Sequence, residues 1–134
     1  MSEAMSHVPE VQGATEVVAW FGRWPSFHDG EILELHLCRA GESRLRVHTW
    51  LLTNEVDSQG YYVQKQHAIV TFVLSDITDL ELTDFSCQNV IFGLSLEPVE
   101  SGFRLQLAPC YGMAGYIVAS GVRVEIEPEV KPHD

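Results

Sequence analysis

The stretch Glu31–Cys38, EILELHLC, followed after the turn-forming residues RAGES by Arg44–Leu52, RLRVHTWLL, decides the fold. Leu33, Leu35 and Leu37 alternate with Glu34 and His36, and Leu45, Val47, Thr49 and Leu51 alternate with Arg44, Arg46, His48 and Trp50. A period of two puts one set of side chains on each face of a pleated strand, so the pair reads as a half-buried antiparallel hairpin. Pairing Cys38 with Arg44 would keep both apolar sets on one face. It would set His36 opposite Arg46 and Glu34 opposite His48.

Working outward, the same alternation recurs. HAIVTFVLSD (67–76), ITDLELTDF (77–85), NVIFGLSLEPV (89–99), FRLQL (103–107) and YIVASGVRVEIEP (116–128) each read as a strand, the last with a bulge at Gly121. TNEVDSQGYYVQKQ (53–66) and APCYGMAG (108–115) read as loops. Before the hairpin, Val17, Trp20 and Phe21 in ATEVVAWFG share one helical face, and Gly22 is placed to end the helix. A helix of about two turns is stable only when docked, so Trp20 and Phe21 are expected to be buried on the sheet. No strand–helix–strand alternation occurs, which argues against a parallel sheet. The expected fold is α+β: an antiparallel sheet of about seven strands, strongly curved or open-barrel-like, with one short N-terminal helix packed on it. Residues 1–12 are expected to form a flexible arm, 13–127 a single domain and 128–134 a polar tail.

The 134 residues carry 46% hydrophobic side chains, enough for one core, and a net charge of -11. Between Lys65 and Arg104 there is no Lys or Arg, whereas Asp76, Asp79, Glu81, Asp84, Glu97 and Glu100 fall there. Such a surface repels phosphates, so direct nucleic-acid binding is not expected. It suits a basic protein partner. Neither a bilayer-spanning apolar run nor a signal-peptide pattern is present, and a cytoplasmic location is the expectation. Cys38, Cys87 and Cys110 are widely spaced and read as free thiols, buried or half-buried.

No chemical constellation stands out. His28, His36, His48 and His67 could converge with Glu34 on a metal, but without a ligand-spacing motif and with Arg46 beside that face no metal or cofactor is expected. Neither a GxSxG elbow nor a phosphate loop occurs, so no catalytic residue is assigned. His28-Asp29 reads as a turn in which the Asp29 carboxylate accepts backbone hydrogen bonds. The acidic strand face formed by Asp76, Asp79, Glu81 and Asp84, together with the loop tyrosines Tyr61, Tyr62 and Tyr111, is the candidate partner surface. The competing reading is a small enzyme or ligand-binding domain using the His28-Asp29 turn and the Glu34/His36/His48 face. A deep pocket lined by His28 and Asp29 would favour it, and a flat acidic face would favour a protein partner. Oligomeric state is left open.

The segment WPSFHDGEILELHL resembles the opening of the immunity protein 50 family of bacterial toxin systems, through Trp24, Pro25, Phe27, His28, Asp29 and Glu31. VTFVLSDITDLELTDF and GYIVASGVRVEIEP look similar to later strands of that family. The resemblance implies a non-enzymatic cytoplasmic antitoxin that binds and neutralises a toxin, a basic toxin being compatible with the acidic balance, and it carries over no catalytic residues.

Overall fold

A computed structural model describes residues 8–128, except for the side chains of residues 52–54 and 62–65. The expectations for residues 1–7 and for the tail after Pro128 lie outside this range.

One helix, α1 (Ala14–Phe21), precedes six strands: β1 (Glu31–His36), β2 (Glu42–Val56), β3 (Tyr62–Thr83), β4 (Val90–Val99), β5 (Gly102–Tyr111) and β6 (Ala114–Pro128). All neighbours are antiparallel, in the order β1-β2-β3-β6-β5-β4, and β4 meets β1 again through the pair Glu31↔Val90. The sheet is thus two consecutive three-stranded meanders joined along β3–β6.

The expected seven strands are six because 67–76 and 77–85 are one strand. The apparent turn at Ser75-Asp76 is a bend: Asp76 takes φ 54, and the register slips between Ile77 and Asp79. Aspartate tolerates the left-handed region, so the chain turns without leaving the ladder. The irregularity expected at Gly121 therefore lies on the facing strand. The expected loop 53–66 is mostly paired strand, with β2 running to Val56 and β3 starting at Tyr62. Its turn is held by Asp57, whose Oδ1 accepts the Gln59 and Tyr61 N–H groups at 2.9 and 3.0 Å. Likewise β5 reaches Tyr111 and β6 starts at Ala114, leaving only a short turn of the expected 108–115 loop.

The β1–β2 register also differs from expectation. Glu34 faces Arg46 and His36 faces Arg44, while Glu31 faces His48, with a bulge between Ile32 and Glu34. The extra residue reverses the phase, so Ile32 and Leu35 turn inward and Leu33 and Leu37 are each 46% exposed.

The interior is filled by Leu45 and Val47 of β2, Val70, Phe72 and Leu74 of β3, Ile91 and Leu96 of β4, Leu105 and Leu107 of β5, and Ile117, Ala119 and Val124 of β6. Helix α1 lies against β6 and β3. Its buried face is Ala14, Val17 and Phe21. Trp20 sits half-buried on the flank, where its Nε1–H donates to the Gln66 carbonyl (3.0 Å) and the Gln66 amide donates to the Trp20 carbonyl (2.8 Å). Gly22, at φ 86, ends the helix as expected, donating its N–H to Val18 O at 2.7 Å. The arm is tied down at its end: the Val124 N–H donates to Gln12 O at 2.8 Å, and Val11 packs on the core.

Thr71 and Val73 point away from the interior yet are 3% and 0% exposed. Their register neighbours explain this: Arg46 and Glu125 flank Thr71, and Arg44 and Arg123 flank Val73. The aliphatic stems of the arginines cover them while the charged ends pair. Arg123 bonds both Glu42 oxygens (2.6 and 3.4 Å) and Glu125 (3.2 Å), and Arg46 reaches Glu34 (3.2 Å) and Glu127 (3.5 Å). The Arg123 hydrogen bond holds the Glu42 carboxyl below its ordinary range. The three cysteines are free but exposed, not buried, because Cys38 and Cys87 fall in connections and Cys110 on the outer side of β5.

Candidate functional site

The site grows from the seam between β1 and β4. Trp24-Pro25-Ser26-Phe27-His28-Asp29 links the helix to β1 and runs beside β4. The Asp29 N–H donates to Ile91 O (2.8 Å), the Ile91 N–H donates to Gly30 O (2.8 Å), and the His28 Nδ1–H donates to Phe92 O (2.9 Å). Phe27 and Asp29 both take the left-handed conformation, at φ 63 and 69. The turn is closed by the Gly30 N–H donating to Phe27 O (2.9 Å), with Phe27 buried and His28 and Asp29 exposed. Phe27 is 1% exposed, its ring 5.6 Å from Phe72 and 5.7 Å from Trp24.

The Asp29 carboxylate does not hold this turn. Its described contact is His28 Nε2 at 3.7 Å, and the hydroxyl that accepts a turn N–H is that of Ser26, from His28 at 3.2 Å. What the position demands is its backbone conformation. Asp29→Gly is therefore expected to leave the urea midpoint unchanged or higher, while Asp29→Ala costs about 1 kcal/mol. If glycine proved the more damaging of the two, the carboxylate would be the stabilising element after all.

Beside this segment lies a cleft of about 1000 Å³. Trp24 and Pro25 form its roof, with His28 and Asp29 at one end. One wall is Trp50 and Leu51 of β2, and the other is Leu94 to Pro98 of β4. Arg23 and Pro9 complete the rim. The wall residues are far from the WPSFHD segment in sequence, and no local pattern marks them; only closure of the sheet brings them together.

The other expected site residues are dispersed. Glu34 is paired with Arg46, and His36 is exposed opposite Arg44. His48 instead stacks on His67, with Nε2 3.1 Å from Nδ1, and both rings lie against Trp50. The Glu34/His36/His48 face is thus not assembled, because the β1 bulge moves the register. Among the described residues no three His, Cys, Asp or Glu side chains are grouped to hold a metal.

Asp76, Asp79, Glu81 and Asp84 are all exposed. Asp79 accepts the Tyr116 hydroxyl proton (3.1 Å), which raises the phenol above its ordinary pKa of 10, and Asp76 lies 3.4 Å from the Ser120 hydroxyl. The patch is less purely acidic than its own stretch of sequence, because β5 brings Arg104 to 4.2 Å over the Tyr116 ring. Tyr61 is 69% exposed at the β2–β3 turn, and Tyr111 is 58% exposed at the end of β5, away from that turn in sequence. The Tyr62 side chain lies outside the described set.

Asn89 escaped the sequence reading. It is 3% exposed; its Oδ1 accepts the Ser86 and Met113 N–H groups (3.0 and 2.9 Å), its Nδ2 donates to Ser86 O (2.9 Å), and its carbonyl accepts the Ile32 N–H (2.9 Å). It ties the 84–89 connection, the β5–β6 turn and β1 together at the seam.

No family model, curated protein or solved structure matches this chain.

Proposed function

We propose that the protein is a non-enzymatic protein-binding module whose partner inserts a segment into the seam cleft. The observation that carries this reading is that two strand edges beside the cleft, Trp50–Leu51 of β2 and Leu94–Pro98 of β4, pair with β3 and β5 on one side and, among the described residues, with no strand on the other. The cleft is open between two strands, as large as the largest ordinary small-molecule sites, and walled by two tryptophans and aliphatic side chains. Trp, with Tyr and Arg, is enriched among the residues that anchor protein interfaces. The exposed acids of β3 then serve association, drawing in a basic partner before it docks. The resemblance of the WPSFHD segment to immunity proteins makes a toxin the partner to try first, and antitoxin action the role that fits.

The test needs a purified partner. Trp50→Ala is expected to weaken binding by roughly 2 kcal/mol, mainly through faster dissociation. Charge reversal at Asp79 and Glu81 should instead slow association, with the difference shrinking as salt is added. A partner indifferent to Trp50→Ala binds elsewhere, and the cleft is then not its site.

A second reading is favoured by one observation: His28 and Asp29 line the cleft, although it is open between two strands and not the deep pocket that the small-ligand alternative called for. With Nδ1 donating to Phe92 O, Nε2 is the ring nitrogen left to meet a ligand, beside the Asp29 carboxylate at 3.7 Å. Saturable quenching of tryptophan fluorescence by a small molecule, abolished in His28→Ala, would move the function to this reading.

A further inference from the structure

We infer that the cleft is a strand position into which no described residue pairs, and that its occupant is an extended segment of a partner protein, paired by backbone hydrogen bonds as β1 would be if it were longer. This deepens the protein-binding reading of the cleft and rests on it.

The pairing pattern carries the argument. At its first residue, Glu31, β1 lies between His48 of β2 and Val90 of β4. Because β1 is antiparallel to both, β2 and β4 run in the same direction, and both continue past the start of β1. β2 goes on to Val56 and β4 to Val99. The chain before Glu31 does not follow them. It accompanies β4 only to His28, whose ring holds the Phe92 carbonyl, and then turns inward at Phe27. Trp24 and Pro25 lead away toward the helix. Two strands separated by one absent neighbour leave a gap of two strand spacings, roughly 4.8 Å each. That gap is the cleft between Trp50-Leu51 and Leu94–Pro98.

The edges of the gap are open. Among the described residues, no backbone group of Gly93–Val99 bonds toward β2, and none of Trp50 or Leu51 bonds toward β4. Pro98 fixes which groups face the gap. It stands opposite Phe103 but has no N–H, so its nitrogen is accommodated pointing away from β5. Leu94 and Leu96 have the same parity, which aims their N–H and C=O groups into the gap. Alternate side chains of an inserted strand would then face Leu51, Leu94 and Leu96, and those between would face out beside Trp50 and Glu97. The fitting occupant is a short extended segment with apolar residues at every second position. A small molecule matches the walls but not two backbone ladders on opposite sides, which is why a strand is the better occupant.

A displayed library of random heptapeptides, selected on the full-length chain, supplies the probe. Selected peptides are expected to alternate apolar residues, to lose binding in Trp50→Ala, and to slow exchange of the Leu94 and Leu96 amides. N-methylation of a single central peptide nitrogen should weaken binding about tenfold by removing one ladder bond. Peptides that need Trp50 yet tolerate N-methylation throughout and leave both amides unprotected would overturn strand pairing while leaving the cleft reading intact. Failure to select any Trp50-dependent peptide would overturn both. Protection of Leu94 and Leu96 without peptide, rising with protein concentration alongside a dimer mass, would show that a second copy fills the gap and would overturn the partner-strand inference.

Discussion

Phe27→Ala lowers stability by roughly 3–5 kcal/mol, the largest loss expected from any single change in the WPSFHD segment. The ring is 1% exposed and packs edge-on against Trp24 and tilted against Phe72. Truncation removes that burial and opens a cavity under the roof of the cleft. The backbone gives nothing back, because alanine at φ 63 is as strained as phenylalanine. Urea unfolding followed by far-ultraviolet circular dichroism measures the effect, and Phe27→Leu should fall between the two. A loss under about 1 kcal/mol would mean that the seam is not held by this ring.

Asn89→Ala is expected to cost roughly 2–4 kcal/mol, since each buried group left without a partner costs about 1–3 kcal/mol. The side chain satisfies the buried Met113 N–H and the half-buried Ser86 N–H and carbonyl. The Met113 amide should also exchange faster in the variant, out of proportion to amides in the β2–β3 hairpin. An unchanged denaturation midpoint with normal Met113 exchange would place a water or another group in that role.

Much of the fold was legible because alternation reports burial directly wherever a strand is regular. Leu45, Val47 and Thr49 face in without exception, as do Leu105 and Leu107. The reading failed wherever one residue is inserted. A single bulge in β1 turned Leu33 outward and dismantled the Glu34/His36/His48 face, and the bend at Asp76 made one strand look like two. Periodicity carries no sign of such insertions, because the residues that absorb them are ordinary strand formers. At the site, WPSFHD was singled out, but the walls facing it were not. Trp50 and Leu94–Pro98 read as unremarkable strand positions until the sheet closes. Asn89 likewise looked like the first residue of a strand; its function depends on Ser86 and Met113 arriving from two different connections.

The strand order has a consequence for how the chain comes together. β1, β2 and β3 follow one another both in sequence and in space, and so do β4, β5 and β6. The first half is complete by Thr83, so all its hairpins can zip while the second half is still being synthesised. At that moment Leu45, Val47, Val70, Phe72 and Leu74 form an apolar face that only α1 and Phe27 are present to cover. The second meander covers the rest of that face, pairing along the long edge of β3 and meeting β1 at Glu31 and Val90. Nascent chains therefore carry an interval of stickiness whose length is set by the time needed to translate residues 84–128.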